Sequence, residues 1–129
     1  MIPETHLDLL ESTALAHVAT IDANGAPQVN PVWFGWDGTH LRFSNTKTRQ
    51  KYQNALRDPR VAVSIVDPNN PYRYLEIRGE VVAIEEDPDL DFINAMAKKY
   101  LGMEKYPWHR PGDERVVLVI KPQRTTQMG

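Results

Sequence analysis

Between Ser44 and Lys51 the chain interleaves three hydroxyl side chains, Ser44, Thr46 and Thr48, with three cations, Lys47, Arg49 and Lys51, and no acid follows until Asp58. Hydroxyls and basic side chains at this density donate hydrogen bonds to a common acceptor, so the chemistry they suit is anion binding. Asn45 to Thr48 are helix-capping types, and Tyr52, Ala55 and Leu56 fall on one helical face before Asp58-Pro59 ends it. The cations then crowd a first helical turn whose macrodipole is already positive, at a cost of a few tenths of a kcal/mol each. A phosphate placed there reverses the sign, because free backbone N–H groups, hydroxyls and cations all donate to its oxygens. The stretch reads as a phosphate site, and the alternative is a solvated basic helix face.

Other chemistries find little support. His6, His17, His40 and His109 are scattered without metal-ligand spacing, and the absence of cysteine removes disulfides, thiolate metal sites and a thiol nucleophile. Glu85-Glu86-Asp87, Asp89 and Asp91 surround a helix start, where acids stabilise the dipole. Ser12, Ser44 and Ser64 lack a nucleophile-elbow context. Among Trp33, Trp36 and Trp108, Trp33 is the best placed to stack on a planar ligand, since it follows Pro31 on a strand whose pairing a proline would interrupt. A phosphate grip beside an aromatic-flanked strand, with no acid–base machinery, implies that a bound cofactor carries the reaction.

The elements that must position these residues are mostly strands. At 129 residues, 41% hydrophobic and 25% charged, the chain has the composition of one soluble globular domain. A net charge of −2 argues against general nucleic-acid binding. No apolar run approaches the roughly 18 residues of a membrane span, and no secretory signal is evident, so cytoplasmic residence is expected. Pro3 to Ser12 predicts a short helix with Leu7 and Leu10 inward. Ala14 to Asp22 and Pro27 to Trp36 predict a hairpin about Ala23-Asn24-Gly25-Ala26, and Leu41 to Ser44 a strand antiparallel to the one carrying Pro31. Val61 to Val66 and Tyr72 to Glu85 follow, separated by an Asp67 to Pro71 loop; the second strand is long enough to bend at Gly79, with Leu75, Ile77, Val81 and Ala83 on one side. Asp87-Pro88 starts a helix that Gly102 ends. A loop through Tyr106-Pro107-Trp108, an apolar strand from Val116 to Ile120 and a polar tail from Lys121 complete the chain. Six antiparallel strands with flanking helices predict a mainly β, small barrel.

Three stretches carry a resemblance: Gln28-x-Asn30-Pro31-Val32-Trp33; Leu41-Arg42-Phe43-Ser44-Asn45-Thr46; and Thr48-Arg49-Gln50-Lys51-x-x-Asn54-Ala55-Leu56-Arg57-Asp58-Pro59. With Tyr74 to Glu80 and the terminal strand, they resemble the pyridoxamine 5′-phosphate oxidase-like split β-barrel superfamily. Within it, the chain is more similar to the small flavin/deazaflavin oxidoreductases that use coenzyme F420. The resemblance implies a split-barrel homodimer with cofactors in clefts between subunits, Arg49 and Lys51 on the cofactor phosphate, and Ser44, Thr46 and Thr48 assisting. It also lays the strand bearing Gln28, Asn30, Pro31, Val32 and Trp33 along the tricyclic ring. FMN-retaining relatives usually have Arg and Lys in succession, whereas Gln50 intervenes here, a spacing that looks more like the deazaflavin branch.

The activity so implied is hydride transfer from reduced F420 to an electron-poor small molecule such as an enone, quinone or tetrapyrrole. The alternatives are a non-enzymatic carrier of flavin, deazaflavin or haem, and an FMN-dependent enzyme of the pyridoxamine-phosphate oxidase type. No residue stands out as proton donor. Loops at Asp67 to Arg73 and Leu101 to Asp113 are expected to choose the acceptor, and the Tyr106-Pro107-Trp108 loop to reach a second subunit.

Overall fold

A computed structural model describes Met1–Gly129. Strands β1 (Ala16–Ile21), β2 (Pro27–Val32), β3 (Gly35–Trp36), β4 (Leu41–Thr46), β5 (Arg60–Asp67), β6 (Asn70–Glu86) and β7 (Arg115–Met128) form one sheet. Every pairing is antiparallel, in the order β2-β1-β5-β6-β7-β4-β3. The outermost strands β2 and β3 are separated in sequence only by Trp33 and Phe34. Three Cα steps reach at most about 11 Å, whereas six interstrand gaps would hold the edges of a flat sheet roughly 29 Å apart. The sheet must therefore curl into a split barrel, closed at Trp33-Phe34 around a core that includes Phe34, Phe43, Ile65, Leu75, Ile77 and Leu118.

Seven strands stand where six were expected because Pro27 to Trp36 is not continuous. At Phe34 the backbone bonds to side chains rather than to a strand: its N–H donates to Tyr100 Oη (3.2 Å) and its carbonyl accepts from Lys99 Nζ (2.7 Å). Pro31 sits opposite His17 in an unbroken register, so it marks the sheet edge, where a missing N–H is tolerated, rather than a bulge. Consequently β4 pairs with β3 and β7, not with the segment carrying Pro31.

The β1–β2 turn is held by Asp22 Oδ1, which accepts from the N–H groups of Asn24 (2.8 Å) and Ala26 (2.9 Å), with Gly25 at φ 81°. The expected Asp67 to Pro71 loop is tighter: Asp67 already pairs with Asn70 across Pro68-Asn69. Residues Lys121 onward are not a tail but continue β7 to Met128, because the 17-residue β6 offers ladder partners along its whole length. Register shifts after Arg78 and Val81 bend this pair. A Cβ at Gly79 would collide with the Lys121 carbonyl, so the close approach of β7 requires glycine there. The extra residue at Val82 turns Ala83 outward and lets Ile84 pack on the core, the reverse of a uniform alternation.

The N-terminal helix is shorter than predicted, a 3₁₀ turn (Glu4–His6) leading into α1 (Leu7–Leu10). Leu9, Leu10 and His6 are its buried residues, and Leu7 faces out. His6 Nε2 donates to the Met128 carbonyl (2.9 Å), tying the two termini together. Helix α2 (Gln50–Arg57) buries Asn54 and Ala55 and exposes Leu56. Helix α3 (Asp91–Leu101) begins after Leu90, whose φ of 62° breaks the chain out of the turn started by Asp87-Pro88. It ends at Gly102 (φ 70°), whose N–H donates to Lys98 O. No helix is long and apolar enough to cross a membrane.

Candidate functional site

A cleft of about 640 Å³ opens beside the first turn of α2, between β2, β4, the start of β7, α3 and the loop that follows α3. Gln28, Asn30, Pro31, Val32, Trp33, Ser44, Thr46, Arg49 and Lys51 all line it. Thr48 does not; its hydroxyl lies 3.2 Å from that of Thr46 and supports the wall from outside.

The basic stretch divides in two. Lys47 leaves the group, because Glu86 (2.7 Å) and Glu114 (3.6 Å) reach it from β6 and from the residue before β7. Arg49 and Lys51 have no carboxylate partner, and the lining contains no Asp, Glu or His. Burial pushes the Lys51 ammonium below the ordinary lysine range, and the Arg49 guanidinium pushes the same way. The start of α2 was expected to be capped from Asn45 to Thr48. Instead Arg49 occupies the N-cap position in extended conformation without a side-chain cap. Asn45 Oδ1 is turned to the Thr46 N–H (2.9 Å). The first N–H groups of α2 therefore have no side-chain acceptor and, with two unpaired cations, point to a site that wants an anion.

Amides join α2 to β2 beneath these cations. Asn54, with no exposed surface, donates from Nδ2 to Thr20 Oγ1 (3.0 Å) and Gln28 Oε1 (3.2 Å), and Gln50 Nε2 donates to Asn54 Oδ1 (2.7 Å). Gln28 Nε2 donates to Asn30 Oδ1 (2.9 Å), which also faces Lys51 Nζ at 3.4 Å. The helical pattern that put Leu56 inward misjudged this face, because Asn54 is buried for its hydrogen bonds rather than its hydrophobicity.

Arg115, Ile93 and Met96 also line the cleft and were not anticipated; Tyr106 and Trp108 line it too, from the loop expected to choose the acceptor. Arg115 stands opposite Thr46 in the β4–β7 register, donates from Nη1 to Ser44 Oγ (3.2 Å) and lays its guanidinium 4.5 Å from the Tyr106 ring centre. Its Nε and the Nδ2 of Asn45 are buried donors without a protein partner. The one sequence signal for Arg115 was its place at the head of an apolar strand; its hydrogen-bond partner Ser44 is 71 residues away.

Trp33 stacks on Tyr100, centroids 5.3 Å apart and planes within 6°, and meets Tyr106 edge-on at 6.0 Å. Trp108 lies 6.3 Å from Trp33 and 5.6 Å from Tyr106. The loop expected to reach a second subunit packs on its own chain as the aromatic wall of the cleft and leaves Trp108 exposed. Tyr100 is anchored by its hydroxyl on the Ala14 carbonyl (2.7 Å), and burial pushes that phenol above its ordinary range.

A curled antiparallel sheet with a cleft that joins unpaired cations, hydroxyls and an aromatic wall defines a split-barrel protein with a basic, aromatic-walled pocket. The chain belongs to the pyridoxamine 5′-phosphate oxidase family, which it matches over residues 2–129. It is similar to a solved F420 reductase at 42% identity, over 97% of this chain and 98% of that one, with a TM-score of 0.88. A putative pyridoxamine 5′-phosphate oxidase from Listeria innocua shares the fold at 23% identity, over 96% of this chain and 95% of the other, TM-score 0.73. A conserved hypothetical protein from Mycobacterium tuberculosis does so at 22% identity, over 99% and 85%, TM-score 0.76. Among curated proteins, none matches.

Proposed function

We propose that this protein is an oxidoreductase that holds a phosphorylated tricyclic cofactor in the cleft beside α2, prefers F420 to FMN, and reduces an electron-poor small molecule. The observation that carries this reading is the pairing of Arg49 and Lys51, unmatched by any acid, with the uncapped start of α2. The cleft has the size of a small-molecule site, and its buried unpartnered donors on Asn45 and Arg115 suit a ligand rich in acceptors. The preference for F420 rests on the Arg49-Gln50-Lys51 spacing and on likeness to the F420 reductase.

When bound, the reduced cofactor supplies the hydride. Arg49 and Lys51, with the hydroxyls of Ser44 and Thr46, bind the phosphate end and fix its distance from the ring site. The β2 segment Asn30 to Trp33 gives the ring a flat apolar floor, while Tyr106 and Trp108 narrow the entrance and exclude water from one side. No carboxylate or imidazole of this chain lines the cleft, and no residue is assigned as proton donor. The acceptor enters past the loop 102–114, and the active form is a homodimer whose second subunit completes the open side of the cleft.

Tryptophan fluorescence titrated with F420 and with FMN tests the binding, followed by oxidation of reduced F420 in the presence of enones and quinones. Tighter binding of F420 and acceptor-dependent turnover are expected. Tighter FMN binding overturns the cofactor assignment, and binding without turnover with any acceptor makes the protein a carrier. A monomer in equilibrium sedimentation that still binds cofactor removes the dimer.

A further inference from the structure

Resting on that reading of the cleft, the geometry points to a specificity device. The buried amide chain Asn54–Gln28–Asn30 holds Asn30 with its NH₂ group facing the ligand, so that β2 presents a hydrogen-bond donor to an acceptor atom on the ring edge of the bound molecule. A carboxamide can lie either way round, and what fixes a chain of them is a member of one polarity only. Lys51 is that member: an ammonium donates and never accepts, so the atom facing it at 3.4 Å is Asn30 Oδ1.

The rest follows by alternation. Since Asn30 offers oxygen, Gln28 must approach it with Nε2 (2.9 Å) and turn Oε1 the other way. Asn54 must then give Nδ2 to Gln28 Oε1 (3.2 Å) and accept at Oδ1 from Gln50 (2.7 Å). Reversing any one amide would set oxygen against oxygen or NH₂ against NH₂ along the line. Asn54 has no exposed surface, so it has no water with which to relax such a clash. Both ends of Gln28 and of Asn54 are consumed. The two ends of the line are free and both residues line the cleft: Gln50 Oε1 on α2 and Asn30 Nδ2 on β2 bond to nothing in the chain, so on β2 the free group is the Asn30 donor. Asn54 and Gln28 are in this sense positioning residues, and Asn30 the specificity contact. A carbonyl or pyridine-type nitrogen is accepted at that spot, and a ring edge presenting N–H or NH₂ is refused.

The decisive variant is Gln28→Glu. A carboxylate still accepts from Asn54 Nδ2, so the link between α2 and β2 survives, but it cannot donate to Asn30. It also draws the Lys51 ammonium away from Asn30 Oδ1, and the Asn30 amide then flips to donate to the new carboxylate and shows its oxygen to the cleft. Side-chain amide exchange by NMR on the ligand-free protein reads the orientation directly. In the wild type the carboxamide protons of Gln28 and Asn54 exchange slowly and those of Asn30 at the solvent rate; in Gln28→Glu those of Asn30 become slow. Riboflavin, which has no phosphate, then isolates the ring contact from the charge effect of the new carboxylate. Its affinity falls about tenfold in the variant, while FMN falls by at least as much. Protected Asn30 amide protons in the free wild type overturn the inference, as does loss of FMN affinity with riboflavin unchanged, which would confine the effect to the phosphate. A wild type that binds none of riboflavin, FMN or F420, yet shows the expected exchange pattern, removes the cofactor reading and leaves the oriented donor standing.

Discussion

Arg73 and Lys51 are both partly buried cations, and the fold treats them in opposite ways. Arg73 grips Asp8 (2.7 and 3.0 Å), Asp67 (3.0 Å) and the Thr5 carbonyl (2.6 Å), clamping the N-terminal turn onto the β5–β6 hairpin. Hydrogen bonds to Asp8, then Asp67, raise its pKa. Lys51 meets only an amide oxygen and a neighbouring guanidinium, and its pKa is lowered. A cation that serves the fold is neutralised within the chain, whereas one left charged and unmatched in a cleft is a cost that a ligand can reverse. What separates clamp from site is the partner set, carboxylates around Arg73 and none around Lys51 in the cleft; burial alone also lowers the pKa of Lys99, which holds the Phe34 carbonyl away from the cleft.

The sharpest way to break this contrast is Lys51→Ala. Removing one charge-assisted hydrogen bond costs about 1.5–3 kcal/mol of cofactor binding, or roughly a ten- to hundred-fold loss of affinity. Stability of the cofactor-free protein holds or rises, because a desolvated charge beside Arg49 has gone. Titration calorimetry and thermal melting on one preparation at fixed salt check both signs. Unchanged affinity would return the basic stretch to a solvated helix face.

Arg73→Met should give the mirror image. Two carboxylates lose their partner, melting temperature falls, and cofactor affinity stays as in the wild type, since no clamp residue lines the cleft. A loss of affinity equal to that of Lys51→Ala would merge the two regions into one coupled unit. Lys47→Ala is the finer cut. Only four residues before Lys51, it is paired with exposed carboxylates, so its loss changes affinity by less than about twofold.

Lys47 also marks where sequence reasoning stopped. Three cations without a nearby acid looked alike, because Glu86 and Glu114 arrive through strand pairing that local spacing does not encode. Local patterns did place most of the strands, the Ala23 to Ala26 turn and the bend at Gly79, since each depends on neighbours in sequence; the Lys121 carbonyl that demands glycine at 79 was out of their reach. They failed where a distant group set the outcome. Tyr100 and Lys99 break the strand at Phe34, the bulge at Val82 reverses the inward face, and β6 recruits a polar segment as the end of β7. The site was legible on β2, β4 and α2, where its residues lie close together in sequence. Arg115 was not, because only the β4–β7 register brings it in, and the Tyr106 to Trp108 loop was expected to meet the acceptor and a second subunit without its packing on Trp33 being foreseen.

The smallest effect expected tests the same contrast through pH. Hydrogen bonds hold both clamp carboxylates below the ordinary aspartate value of 3.8, Asp8 chiefly through Arg73 and Asp67 chiefly through the Asn69 N–H and then Arg73. Their contribution is complete above about pH 4 and is lost as pH falls through the lower folded values, because the unfolded chain takes up protons first. Lys51 acts at the other end. Its folded pKa lies below the ordinary 10.5, so between the two values the unfolded state again holds more protons than the folded one. Stability of the cofactor-free protein therefore gains a small increment as pH rises through the folded value, because the desolvated charge is discharged. Bound phosphate favours the ammonium and cancels that gain. Chemical denaturation from pH 8 to 10.5, with and without cofactor, compares the slopes. A positive Lys51 term present in the free protein and absent in both the complex and Lys51→Ala assigns the alkaline limb to the site. The same slope in all three would place its origin elsewhere in the fold and leave Lys51 no more a binding residue than Lys47.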